Sequence, residues 1–266
     1  MRSYPTYLSL LNYVATAAIT TTDPNGSATA DYIRSPGRPF LPWRTGALGV
    51  QNIVINFGST KSVKLLVLVR TNFTTANIQG HPSDSWGAPA FDQAITISRN
   101  PWNYRYQWGM RVVGFSYQYM RISIPSQSTT DGSTGYLLGG VWAGDELRIP
   151  RQFRFDYDAE TVEPLVDMIP PHQGWRQRLI MGEPMARFTF SRIATIDQFT
   201  PGYADQLLAW KDIDRQIREN DICALLLTTQ DPAQAFVVRP TGDNKWRRNK
   251  YTMAEHQITY EEVLGP

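Results

Sequence analysis

The stretch from Gln51 to Thr71 reads QNIVINFGSTKSVKLLVLVRT, and it constrains the fold more than any other. In its first seven residues Ile53, Ile55 and Phe57 alternate with polar side chains, Val54 excepted. That is the period of two expected of a half-buried strand, and it stops at Gly58. Residues 62–71, SVKLLVLVRT, are denser and read as a buried strand. Further strands are predicted at 91–99, 110–116 and 119–125, with Gly- and Pro-rich breaks at 37–42, 80–90 and 126–135. Short strands at irregular spacing, with no helix among them, indicate a β-sandwich or jelly roll. The 8 Trp and 13 Tyr agree, because pleated surfaces favour aromatic side chains.

The segment YLLGGVWAGDELRIP, 136–150, closes this first region, and the pattern then changes. Residues 185–196 read as a strand with Phe188 and Phe190 in phase. Residues 201–220 carry the strongest helical pattern: Pro201 suits a first helical position, and Leu207, Trp210, Ile213 and Ile217 share one face. Strands follow at 221–229, 234–240 and 255–263. The expected organisation is a mainly β chain. A jelly-roll domain spans 1–148, and an α+β domain with one helix spans 149–266.

Charge and motifs narrow the function. Residues 1–150 hold twelve basic against seven acidic side chains, and residues 151–266 fourteen against seventeen. Neither half carries the basic stripe of a nucleic-acid binder. The N-terminal run is broken by Tyr4, Pro5, Asn12 and Tyr13, which argues against a signal peptide. No stretch reaches the ~18 apolar residues of a membrane span. Cys223 sits in an apolar run and reads as a core residue. His81, His172 and His256 are isolated and read as surface or turn residues. Asp156, Asp158, Glu160, Glu163 and Asp167 form an acidic cluster without the glycine-centred loop of a calcium site, and read as a solvated loop. Phosphate-loop, dinucleotide and nucleophile-elbow patterns are missing from the sequence. These readings predict a protein that is not an enzyme and needs no cofactor.

Two segments could make contacts. In NPWNYRYQWGMR, 100–111, Trp102, Tyr104, Tyr106 and Trp108 alternate. On one strand they would form an aromatic platform for a sugar, or else fill the sandwich core or a subunit contact. The run KWRRNK, 245–250, supplies Lys245, Arg247, Arg248 and Lys250 and is expected in a turn, as an assembly contact.

The segments ATAAITTTDPNGSATADYI, PWRTG, QNIVINFGSTKSVKLLVLVRTNF and YQYMRISI together resemble the discoidin (galactose-binding-like) jelly roll. That resemblance implies that Trp43 plugs the sandwich and Arg44 pairs beneath it. With YLLGGVWAGDEL, GEPMARFTFSRI, DICALLLTTQDP and HQITYEEV following, the order of parts also resembles the distal tail, or baseplate hub, proteins of long-tailed bacteriophages. This second resemblance implies a structural virion protein, assembled in the host cytoplasm. It would form a homo-oligomeric ring, expected to be a hexamer, between the tail tube protein and the tail tip. The alternative is a carbohydrate-binding module through which the tail contacts host polysaccharide.

Overall fold

The computed structural model describes residues 7–23, 25, 29–34, 36, 42–101, 103–148, 157–162, 165–168, 177–180, 185–195, 222–250 and 253–263. The protein is mainly β, as the sequence predicts, and its described strands pair antiparallel.

Two five-stranded sheets make the jelly-roll sandwich. The outer sheet has the spatial order Ala18–Thr21, Gln51–Ser62, Ser116–Ile124, Thr75–His81 and Phe91–Thr96. The middle sheet runs Trp43–Arg44, Leu137–Gly144, Leu65–Thr71, Tyr106–Arg111 and Ser98–Arg99. Between them lies one core. Ile53, Ile55, Phe57, Met120 and Ile122 come down from the outer sheet, and Trp43, Leu66, Leu68, Trp108 and Leu138 come up from the middle one.

A third sheet has seven strands, in the order Leu147–Arg148, Tyr7–Ser9, Cys223–Leu226, Ala235–Lys250, Met253–Glu262, Met185–Thr195 and Tyr157–Val162. It draws on both sides of residue 148, because Tyr7 and Leu8 register with Leu226 and Leu225. Leu65, Val67, Val69 and Trp142, on the other face of the middle sheet, form a second core with Tyr7, Ala224, Leu226, Ala235 and Val237. This explains the dense run at 62–71. A strand covered on both faces has no side on which polar residues are favoured. The layers come so close that any Cβ on Gly109 would run into Ala235.

Several expected boundaries move. The strand that begins at Gln51 continues to Ser62 rather than stopping at Gly58. Its register against Ser116–Ile124 shifts between Tyr117 and Tyr119, and Gly58 takes a φ of +74° there, which lets the chain bulge and resume. The strand expected at 110–116 lies at Tyr106–Arg111, and Val112 and Phe115 are buried from the turn that follows. Thr75–His81 is a strand that apolar patterning does not reveal, since Asn77 and Gln79 face outward. The run KWRRNK is not in a turn. It forms the end of the strand Ala235–Lys250, with Arg247 in register with Glu255. Residues 157–162 are likewise a strand rather than a loop. The closing strand Met253–Glu262 is interior to its sheet, flanked on both sides. The helix expected at 201–220 and His172 lie outside the described residues.

Trp43 is fully buried in the sandwich core. Arg44 does not pair beneath it: its side chain is exposed, and only its backbone is held, by the Thr29 hydroxyl at 3.1 Å. The tie falls to Thr45. Its N–H donates to the Tyr136 carbonyl at 3.0 Å, and its hydroxyl accepts the Tyr136 N–H at 2.7 Å. A β-strand alternates sides, so two neighbours such as Trp43 and Arg44 cannot both point inward.

Candidate functional site

The outer sheet has one face in the core, and among the described residues no other sheet packs on its second face. Strand register sets the rows on that open face. Arg121 lies opposite Val54 on one side and Gln79 on the other, and Gln79 lies opposite Asp92. One row along, Tyr119 lies between Asn56 and His81. On the other side Ser123 lies between Asn52 and Asn77. These alternate positions are polar because their neighbours Met120, Ile122 and Ile78 fill the core.

Arg121 is the centre of the face. Its Nε donates to Gln79 Oε1 at 2.6 Å, and its guanidinium carbon lies 4.6 Å from the centroid of the Trp86 ring. Trp86 comes from the loop between Thr75–His81 and Phe91–Thr96, folded back over the sheet. Its indole N–H donates to Asp84 Oδ1 at 2.6 Å. The His81 ring sits 6.3 Å from the Trp86 ring and turns Nδ1 onto Ser83, 2.8 Å from its carbonyl oxygen. Burial pulls the guanidinium below its usual pKa, and Asp92 and Asp84 pull it partly back. The result is a preorganised donor. Its Nε and one π-face are used, while neither Nη is bonded to another described residue.

Beside it, Asn56 Nδ2 donates to Tyr119 Oη at 3.3 Å, and Gln118 Nε2 donates to Asn56 Oδ1 at 3.2 Å. The face therefore offers a guanidinium, amides, a phenol and exposed carboxylates. Such groups can hydrogen-bond the hydroxyls of a flexible polar polymer. Among the described residues no group of His, Cys, Asp and Glu could hold a metal ion.

Of the two readings of residues 102–108, an aromatic platform or core filling, Trp108 takes the second. Trp108 is buried in the sandwich core, and Tyr106 packs partly against it. Tyr104 precedes the strand, 55% exposed, with a φ of +58° and its ring against Arg99 at 5.2 Å. Trp102 lies outside the described residues. Of the three described aromatics Tyr106 and Trp108 share a strand, and that strand turns them inward.

The amides between those aromatics do the bonding instead. Gln107 Nε2 donates to the carbonyls of Ala235 at 2.6 Å and Ala233 at 3.0 Å. Asn100 Nδ2 reaches the Ala233 carbonyl at 2.6 Å. Asn103 Nδ2 donates to Gln107 Oε1 at 2.9 Å and to Glu262 Oε1 at 2.7 Å. Arg105 approaches the same carboxylate at 3.6 Å. The segment is a polar seam joining the jelly roll to the seven-stranded sheet. Lys245, Arg247, Arg248 and Lys250 have a described backbone only, at the end of a strand.

Sequence reading missed Arg121, Trp86, Gln79 and Asp92. Arg121 was legible as a polar position in the strand predicted at 119–125, whereas Gln79 fell in no predicted strand; their meeting depends on register. Cys223 is buried, and burial pushes its thiol up to about 12, as a core residue requires.

No protein-family model matches the chain, and no curated protein is similar to it. Solved structures do resemble it over half its length. Chitosan-binding module 1 of a chitosanase/glucanase from Paenibacillus sp. IK-5 is 17% identical with a TM-score of 0.38, over 51% of this chain and 99% of the module. The Streptococcus pneumoniae fucose binding module SpX-3 is 13% identical with a TM-score of 0.40, over 51% of this chain and 98% of the module. The lectin domain of lectinolysin, solved with Lewis B antigen, is 11% identical with a TM-score of 0.38, over 50% of this chain and 95% of the domain. Likenesses of this size carry no functional weight; the side chains on the open sheet face do.

Proposed function

We propose that the jelly roll is a non-catalytic carbohydrate-binding module whose open outer face receives a polysaccharide around Arg121. The observation that carries this reading is the fixed guanidinium. Gln79 and Trp86 hold it on a sheet face with neither Nη bonded to another described residue. A donor already ordered loses little side-chain entropy on binding. The amides of Asn56, Asn77 and Gln118 extend the polar face along the same sheet. The test is a glycan array probed with the full chain and with Arg121→Gln. Hydrogen bonds from a charged group contribute ~1.5–3 kcal/mol, so the variant should lose about tenfold or more in affinity, read at a temperature where both chains are folded because the buried Gln79 Oε1 also loses its donor. Glycan binding that ignores Arg121→Gln overturns the assignment.

A second reading places this module in a bacteriophage tail tip, as part of a homo-oligomeric ring against the tail tube. What supports it within the molecule is the seven-stranded sheet. Among the described residues its end strand Tyr157–Val162 pairs with Met185–Thr195 and stands last in the sheet. An open strand edge is a template for pairing with another chain. In this reading KWRRNK and the acidic strand 157–160 meet between neighbouring subunits. Electron microscopy of the purified chain tests it: closed rings are expected, and a monodisperse monomer at high concentration counts against it.

A further inference from the structure

We infer that Trp86 is a stacking platform beside Arg121, and that the two make adjacent subsites for successive sugars of an oligosaccharide. This rests on the sugar-binding reading above and names the size of ligand that site takes. The loop that carries Trp86 lies in the open. Its residues Pro82 to Ser85 are exposed, as are Gly87 and Ala88, and a Cβ on Gly87 would meet nothing within 4 Å. The indole is nevertheless fixed. Asp84 Oδ1 accepts its N–H at 2.6 Å, and the Arg121 guanidinium carbon stands over one face, 4.6 Å from the ring centroid. Trp86 stays half-buried, so apolar ring surface is left for a ligand to cover.

A pyranose has faces made of C–H groups and a rim of hydroxyls. The C–H groups pack on the electron-rich face of an indole, whereas the hydroxyls need donors and acceptors. Trp86 and Arg121 offer one of each kind of contact, but not to the same sugar. A sugar on the free face of the indole lies beyond the 4.6 Å that already separates the ring centroid from the guanidinium carbon. That is further than the ~2.7–3.2 Å of a hydrogen bond. The Nη groups of Arg121 are then left for the hydroxyls of the next sugar along the chain. Two linked sugars fill both subsites, and joining two contacts in one ligand makes the second intramolecular, which raises affinity without any new contact.

The experiment is calorimetric titration of the full chain with glucose, galactose, mannose and N-acetylglucosamine, each as the monosaccharide and as linear oligosaccharides. Trp86→Ala, Trp86→Phe and Arg121→Gln are titrated alongside, at a temperature where all are folded. The oligosaccharide that binds should do so about tenfold tighter than its monosaccharide. Trp86→Ala should lose that advantage, and Trp86→Phe, which keeps a ring, should retain most of it. If Trp86 only positions Arg121, Trp86→Ala weakens both lengths alike, and that result overturns the platform. So does a monosaccharide that binds as tightly as its oligomers, or a Trp86→Ala chain that binds more tightly than the parent. In each of these cases binding that Arg121→Gln weakens keeps the sheet face as a sugar site. Absence of any binding that depends on Arg121, here and on the glycan array, overturns the sugar-binding reading itself and this inference with it.

Discussion

The two five-stranded sheets share a core, yet their other faces have opposite fates. The middle sheet turns Leu65, Val67, Val69 and Trp142 onto a second apolar layer. The outer sheet turns Arg121, Gln79, Tyr119 and Asp92 away from the protein. Both sheets have the same strand number and the same alternation on the core side. The difference lies in what the second face meets, and it separates a sheet that holds the molecule together from one able to meet a ligand.

The sharpest way to break this comparison is truncation on matched faces. Leu65 is fully buried in the layer between the middle sheet and the seven-stranded sheet. Leu65→Ala should cost ~2–5 kcal/mol, from lost burial and the cavity left behind. Ser123 is on the open face of the outer sheet, and Ser123→Ala should stay within ~0.5 kcal/mol. Urea unfolding of the two variants measures both. Similar costs would mean that the outer face is covered as well.

A smaller effect probes the seam. Asn103 is buried and bridges Gln107 and Glu262. Asn103→Ala removes the donor that serves both Gln107 Oε1 and Glu262 Oε1 in this buried seam. The expected cost is ~1–3 kcal/mol, for buried polar groups that lose a hydrogen-bond donor. The loss should appear in unfolding monitored by tryptophan fluorescence. Glycan binding at the outer sheet should be unaffected, because the seam lies on the far side of the sandwich core.

How much of this was legible in the sequence follows the same division. The core faces were readable, because Ile53, Ile55 and Phe57 alternate and SVKLLVLVRT does not. The second apolar layer was half readable: the dense run at 62–71 marked a strand buried on both sides, but not its partner, since Tyr7 and Leu226 are far apart in the chain. The open face was hardly readable. Arg121, Gln79 and Asp92 lie on three strands, and only register unites them. In the aromatic segment at 100–111 core filling, one of its two readings, holds for Trp108 and in part for Tyr106. Its described rings fill the core or, at Tyr104, meet solvent, while its amides form the polar contacts.

The smallest expected effect concerns the 125–136 connection, where the chain crosses from the outer sheet to the middle one. Asp131 is partly desolvated, which alone would raise its pKa. Hydrogen bonds from the Ser133 hydroxyl and N–H, then Asn72 and Thr129, outweigh that and hold the carboxyl below its usual value. Asn72 in turn accepts the Leu137 N–H at 2.7 Å, at the first residue of the middle-sheet strand. The sign follows from linkage: a carboxyl whose folded pKa is depressed stabilises the fold above its unfolded pKa. For Asp131 that reference is 3.8, and the contribution disappears as pH falls from there through the lower folded value. Asp131→Asn should therefore lower the melting temperature slightly at pH 7. The gap between variant and parent should close as the pH is taken below 3.8. Thermal melts of both chains across that range measure it. A gap that stays constant with pH would show that Asp131 shapes this connection without acting through its charge.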